Sequence, residues 1–186
     1  MKLKVCGITR VEDAIMARSL GADMIGVIGI PGTPRAIGAE EFRMIRQRIG
    51  DGLVFVTDSI SQAESVAGMA DIVQIHRIMN EQEMRRLKGR VIAYVPANDF
   101  GRGYIEVVRK HGFTPLIHSV NGRLSSQDLI KFGDISDSGI AGGIGVDNVA
   151  EFIGSGAMFI DISSGVEETP GIKSPWKIRR IAGMIK

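Results

Sequence analysis

LKVCGITRVEDAIMARSLGADMIGVI, residues 3–28, contains one complete strand, helix and strand. Leu3 to Ile8 and Met24 to Ile28 are short apolar runs, and between them Val11, Ala14 and Ile15 recur at helical spacing. Thr9 with Glu12 fits a capping box at the start of that helix. Two strands joined by a helix run parallel, because a crossover of this length returns the chain to the same edge of the sheet.

Outward from this unit the alternation continues. Further strands are predicted over Leu53 to Thr57, Ile72 to Ile75, Val91 to Val95, Thr114 to Ile117, Ser138 to Ala141 and Met158 to Ile162. Ser61 with Glu64 and Ser125 with Asp128 fit capping boxes, and Ser174 before Pro175 is another helix start. Phe42, Ile45 and Ile49, and later Ile178, Ile181, Ala182 and Ile185, form apolar stripes that would pack on the sheet. Eight strands with intervening helices favour a closed (β/α)8 barrel over an open doubly wound sheet, built as one domain over residues 1–186. The chain is short of the roughly 200 residues usual for this fold. Lys131 to Gly139 offers no good helix, so the connection between the sixth and seventh strands is expected to be reduced.

Composition narrows the function. A net charge of +2 with Lys and Arg spread along the chain argues against nucleic acid binding, and no apolar run is long enough to cross a bilayer. Charges and glycine interrupt the first twenty residues, so no secretory signal is expected and the chain is placed in the cytoplasm. One Cys cannot form an internal disulfide, and Cys6 is either a packing atom or a reactive thiol.

In a barrel of this kind the strand C-termini and the loops after them build the site. That rule selects Cys6, Thr9, Arg35, Asp58, His76, Asp99, His118, Gly142, Gly143 and the segment Asp161 to Gly165. The late loops Ala141-Gly142-Gly143-Ile144-Gly145 and Ser163-Ser164-Gly165 form the clearest anion site, since glycine lets backbone N–H groups approach a phosphate closely. Read blandly, the same glycines only turn the chain. Arg35 follows Pro34 in a loop suited to bidentate recognition of a carboxylate, although a solvated surface arginine fits the same residues. His76 and His118 both end strands, where a histidine serves as often as a hydrogen-bonded spacer as a catalyst. No His, Cys and carboxylate cluster has metal-ligand spacing, so no metal is expected.

Lys4-Val5-Cys6-Gly7-Ile8-Thr9, with Glu12-Asp13-Ala14 and Gly21-Ala22-Asp23, resembles the opening of the phosphoribosylanthranilate isomerase family. Similar segments recur at Pro34-Arg35, Val73-Gln74-Ile75-His76, Ala141-Gly142-Gly143 with Asn148-Val149, and Asp161-Ile162-Ser163-Ser164-Gly165-Val166-Glu167 with Pro170-Gly171. The resemblance implies a (β/α)8 barrel of tryptophan biosynthesis. It would rearrange N-(5-phosphoribosyl)anthranilate to an aminodeoxyribulose phosphate by acid–base chemistry, without a cofactor. By the same resemblance Cys6 is the general base, Arg35 meets the anthranilate carboxylate, Asp161 meets the sugar hydroxyls, and Gly142, Gly143, Ser164 and Gly165 hold the phosphate. The partner is then a small phosphosugar, and the chain a monomer or a homodimer.

The chain departs from the family pattern at Asn121-Gly122-Arg123-Leu124, where a Gly-rich lysine-containing segment is usual, at Arg77 in place of glycine and at Asp58 in place of asparagine. The most serious departure is the acid. The family's acid is an Asp at the end of the sixth strand, where Thr114-Pro115-Leu116-Ile117 runs into His118-Ser119. A protonated imidazole is a competent acid near neutrality, so His118 is assigned that role, with Asp99 and Asp58 as substitutes from neighbouring strand ends. The rival reading is a phosphosugar-binding relative that kept the phosphate loops and lost the acid. An epimerase would need metal-ligating His and Asp on several strands, and a related synthase would need strand-end lysines. Lys4 is the only strand lysine, two residues before Cys6 on the same face.

Overall fold

The computed structural model describes residues 1–186. Eight parallel strands close into a barrel in chain order, β1 (Lys2–Val5), β2 (Met24–Ile28), β3 (Leu53–Thr57), β4 (Ile72–Ile75), β5 (Val91–Pro96), β6 (Thr114–His118), β7 (Gly139–Ala141) and β8 (Phe159–Ile162), with β8 pairing back onto β1. The (β/α)8 expectation holds, with boundaries shifted by up to three residues. The largest shift is at β1, which ends at Val5 rather than Ile8. Cys6 still donates its N–H to Ile162, and then Gly7 turns the chain at φ 72°.

Alternation along the strands sorts side chains into two separate cores. Leu3, Val5, Ile25, Val27, Leu53, Phe55, Val73, Ile75, Ile140 and Ile160 point outward and pack with helix residues such as Ala14, Phe42, Ile45, Ile178 and Ile181. Cys6, Met24, Val54, Val56, Ile72, Ile92, Leu116, Ala141 and Phe159 form a second cluster with no helix residue in it, which is the barrel lumen. Each fully buried aliphatic side chain contributes roughly 1.5–3 kcal/mol, so the outer layer supplies most of the cohesion. The lumen, by contrast, admits polar groups at the same inward parity: Lys4, Gln74 and Asp161 are all buried there.

The helices are α1 (Val11–Ser19), α2 (Ala39–Arg48), α3 (Ile60–Ser65), α4 (Glu81–Arg86), α5 (Asp99–Lys110), α6 (Ser126–Ile130) and α7 (Pro175–Ile185). The box at Ser125 and Asp128 forms as expected, and Pro175 opens α7 after Ser174. Two other caps differ. Arg10 precedes α1 without a side-chain cap, because the Thr9 hydroxyl is drawn instead to the Gly171 carbonyl at 2.8 Å. Ser59, not Ser61, caps α3. Ile15 is also turned out to solvent rather than buried. Residues 131–138 carry no helix, as expected, and the β7–β8 connection is likewise thinned to a single 3-10 turn, Val149–Phe152. No helix is long and apolar enough to cross a membrane.

After β8 the chain adds a small antiparallel hairpin, β9 (Glu167–Thr169) with β10 (Ile172–Lys173). Its return strand is tied to α1, since the Lys173 N–H donates to Asp13 Oδ2 at 3.1 Å. This hairpin was not read from the sequence, and Lys173 Nζ ties it to the Ser163 carbonyl at 3.2 Å.

Candidate active site

The lumen opens at the C-terminal ends of the strands into a cavity of about 340 Å³. Cys6, Arg35, His118, Gly142, Gly143, Asp161 and Ser164 all line it. Gln74, His76, Thr33 and Ser163 join them. Gly165 lies just outside, lining an adjacent shallow cleft that shares Gly143 and Ser164 with the main cavity. Asp58 and Asp99 are exposed and line neither, and Asp99 instead pairs with Arg102 at 3.2 Å in the first turn of α5.

Strand parity explains the convergence. Cys6, Gln74, His76, His118 and Asp161 occupy the inward positions at or just beyond the ends of β1, β4, β6 and β8, so closing the barrel brings them to one mouth. Beneath Cys6, Lys4 Nζ donates to Asp161 Oδ2 at 2.7 Å, and both side chains are buried. Asp161 Oδ1 has no protein partner and Gln74 Oε1 has none either. Burial, aided by the Asp161 charge, leaves the Cys6 thiol above its ordinary range, although the charges of Lys4 and Lys173 oppose the rise.

The imidazoles of His76 and His118 meet edge to face, with centroids 5.1 Å apart, and both contact the Tyr94 ring. His118 Nδ1 lies 2.8 Å from the Ser119 carbonyl oxygen, which can only accept, so this nitrogen carries a proton and Nε2 is the free position. Burial, reinforced by the neighbouring His118, lowers His76 to about 4. It is therefore neutral near pH 7.

The glycine loops approach each other and the loop after β6 more closely than any side chain would permit. A Cβ on Gly143, at φ 62°, would sit 2.3 Å from the Gly122 carbonyl oxygen, and one on Gly165 would sit 2.0 Å from that of Ile144. Asn148 locks the first loop by accepting from the Gly145 N–H at 2.8 Å and donating to the Gly143 carbonyl at 3.1 Å. The backbone N–H groups of Gly143, Ile144 and Ser164 have no protein acceptor, while Gly165 is bridged in parallel to Gly145. Three such donors at one rim, with Arg123 and Lys177 beside them, form a nest suited to a phosphate.

Arg35 does line the cavity, but it is not free. Its Nε and Nη2 donate to Glu167 Oε1 and Oε2 at 2.7 and 2.6 Å. Glu167 also accepts from Lys173 Nζ at 2.7 Å, and these cations hold it down at about 2 despite burial, which raises it. Sequence reasoning gave Glu167, Lys173 and Gln74 no role at the site. Gln74 carried a usable signal, two residues before His76 on one strand face. Lys173 carried none, because a lysine in a short polar hairpin reads as solvated.

Amide-rich loops after the last two strands, opening on the same cavity as the Cys6 thiol and the His118 imidazole, are the arrangement of the phosphate-binding barrel enzymes. Residues 3–183 match the family described as PRAI: N-(5'phosphoribosyl)anthranilate (PRA) isomerase, and the chain belongs to that family. The N-(5'-phosphoribosyl)anthranilate isomerase of Sulfolobus acidocaldarius is 34% identical, with 97% of this chain and 94% of that protein aligned. Among solved structures, a monomeric form of the dimeric enzyme from Thermotoga maritima superposes with a TM-score of 0.88 at 24% identity, covering 100% of this chain and 98% of that one. A phosphoribosylanthranilate isomerase in complex with reduced 1-(o-carboxyphenylamino)-1-deoxyribulose 5-phosphate superposes with a TM-score of 0.82 at 25% identity, with the same coverage.

Proposed function

We propose that this chain isomerises N-(5'-phosphoribosyl)anthranilate to 1-(2-carboxyphenylamino)-1-deoxyribulose 5-phosphate, a step of tryptophan biosynthesis, in the cytoplasm and without a cofactor. The observation that carries the assignment of roles is the convergence of Cys6 and His118 on one cavity, beside the amide-rich rim.

The chemistry is proton transfer only. His118, protonated at Nε2, gives its proton to the furanose ring oxygen as the bond from that oxygen to C1' breaks, and the anilino nitrogen lone pair forms the C1'=N bond. The Cys6 thiolate then takes the hydrogen from C2', and the released electron pair forms C1'=C2' while nitrogen recovers its lone pair. Loss of the C2' hydroxyl proton and protonation of C1' give the ketone. The balance is an isomerisation, with no net electron or proton change.

Binding roles follow the cavity wall. The phosphate rests on the N–H groups around Gly142, Gly143, Ser164 and Gly165, Arg35 takes the anthranilate carboxylate, and Asp161 accepts from the sugar hydroxyls through its unpartnered Oδ1. Its other oxygen stays on Lys4 Nζ at 2.7 Å, which orients the carboxylate.

Loss of anthranilate-type fluorescence on adding substrate to purified protein tests the reading. Turnover should be present in the wild type and fall by about 10²–10⁴-fold in Cys6→Ser, with binding nearly intact, because an alcohol is a far weaker base than a thiolate. Binding of the substrate without any turnover in the wild type would instead identify a non-catalytic relative. Unchanged turnover in Cys6→Ser would remove the thiol from the mechanism.

A further inference from the structure

Arg35 approaches the cavity with one edge of its guanidinium already engaged. Nε and Nη2 are spent on Glu167, while Nη1 and the second N–H of Nη2 have no protein acceptor and form a second fork on the same planar group. Glu167 is itself anchored by more than Arg35. Its Oε1 also accepts from Lys173 Nζ at 2.7 Å and from the Gly171 N–H at 3.2 Å, at the turn of the β9–β10 hairpin. Lys173 Nζ donates further to the Ser163 carbonyl at 3.2 Å, and its backbone is tied to Asp13 on α1. Arg35 is thus held through Glu167 to a hairpin pinned against the barrel.

Two cations and one carboxylate leave this cluster with a surplus positive charge at the cavity wall. Without Glu167, Arg35 and Lys173 would repel each other, and the long arginine side chain would have to be ordered anew at every binding event. With Glu167 the free fork is fixed before a ligand arrives.

We propose that Glu167 is a positioning residue for substrate selection: by gripping one edge of Arg35 it presents the other to the carboxylate of an N-aryl phosphosugar, and so sets the preference for carboxylated over uncarboxylated aryl groups. This rests on the assignment of Arg35 to the substrate carboxylate. A purely structural salt bridge would steady the hairpin equally for either ligand. A competing carboxylate would have to be displaced, and its loss would tighten binding.

The test is calorimetric binding of two ligands, the reduced 1-(o-carboxyphenylamino)-1-deoxyribulose 5-phosphate and the same molecule lacking the carboxyl group. Glu167→Gln should weaken the carboxylated ligand by on the order of tenfold and leave the other within about twofold. Arg35→Lys should do the same, since an ammonium offers no second fork. Should Glu167→Gln fail to fold, Glu167→Gln with Lys173→Met, which removes the stranded cation as well, should show the same selective loss. Equal weakening of both ligands, or tighter binding of the carboxylated one, would overturn the proposal. If Arg35→Ala keeps the wild-type preference, the carboxylate assignment of Arg35 is what has failed. Loss of preference in Arg35→Ala but not in either Glu167 variant refutes the positioning role alone.

Discussion

Lys4 Nζ and Asp161 Oδ2 meet 2.7 Å apart across the seam where β8 closes onto β1, in the lumen directly below Cys6. The Lys4 side chain is fully buried and Asp161 nearly so. A buried ion pair of this kind is weak evidence for net stability, but breaking it strands a charge. Lys4→Met should therefore destabilise the fold by about 3–5 kcal/mol in urea denaturation, and Lys4→Met with Asp161→Asn should recover most of that loss. A single variant as stable as the wild type would show that Asp161 reaches water or another partner at the seam.

His118 is the residue on which the acid step depends. His118→Ala should lower kcat by about 10²–10⁴-fold with a smaller change in KM, because proton donation matters only at the transition state. His118→Asp should retain much more turnover than His118→Ala, since a carboxylic acid at the same strand end can supply the proton. Steady-state kinetics of the pair decide the point, and equal activity in His118→Ala and wild type removes His118 from the mechanism.

Acid stability should fall in two windows. His76 titrates near 6.5 when unfolded and near 4 when folded, so between those values the unfolded chain binds a proton that the folded chain refuses, and stability drops as pH falls. Glu167, ordinarily near 4.5 and held at about 2, contributes stability that is complete above pH 4.5 and lost as pH falls toward 2. Urea titrations at stepwise pH should show the upper window flattened in His76→Gln and the lower one retained. An unaltered upper slope would mean another group is responsible.

Gly143→Ala forces a methyl group against the Gly122 carbonyl and a side chain into φ 62°. Relief requires the rim loop to move, at about 1–3 kcal/mol of strain. KM for the phosphorylated substrate should rise while kcat changes less. If inorganic phosphate protects the variant against thermal unfolding as well as it protects the wild type, the loop does not hold the phosphate.

Several elements were legible before folding for local reasons. The apolar runs at Leu53–Thr57 and Ile72–Ile75 and the cap at Ser125 depend on neighbours a few residues away, and all three form as read. Thr9 failed as a cap because a distant carbonyl, that of Gly171, competes for its hydroxyl. Ser61 failed because Ser59, two residues earlier, already satisfies the N–H of Gln62.

By itself, then, the sequence determined the alternation of strands and helices, the placement of Cys6, His76, His118 and Asp161 at strand C-termini, and the two glycine loops, since period and turn chemistry are written in adjacent residues. Only the tertiary structure decided what those groups face. The Lys4–Asp161 pair spans 157 positions of chain and the Arg35–Glu167 pair 132. Barrel closure and the hairpin after β8 create both, and no local pattern encodes which charge a buried charge will meet. The roles of Lys4, Glu167 and Lys173 therefore emerge with the fold, because buried charges must find partners wherever the closed barrel places them.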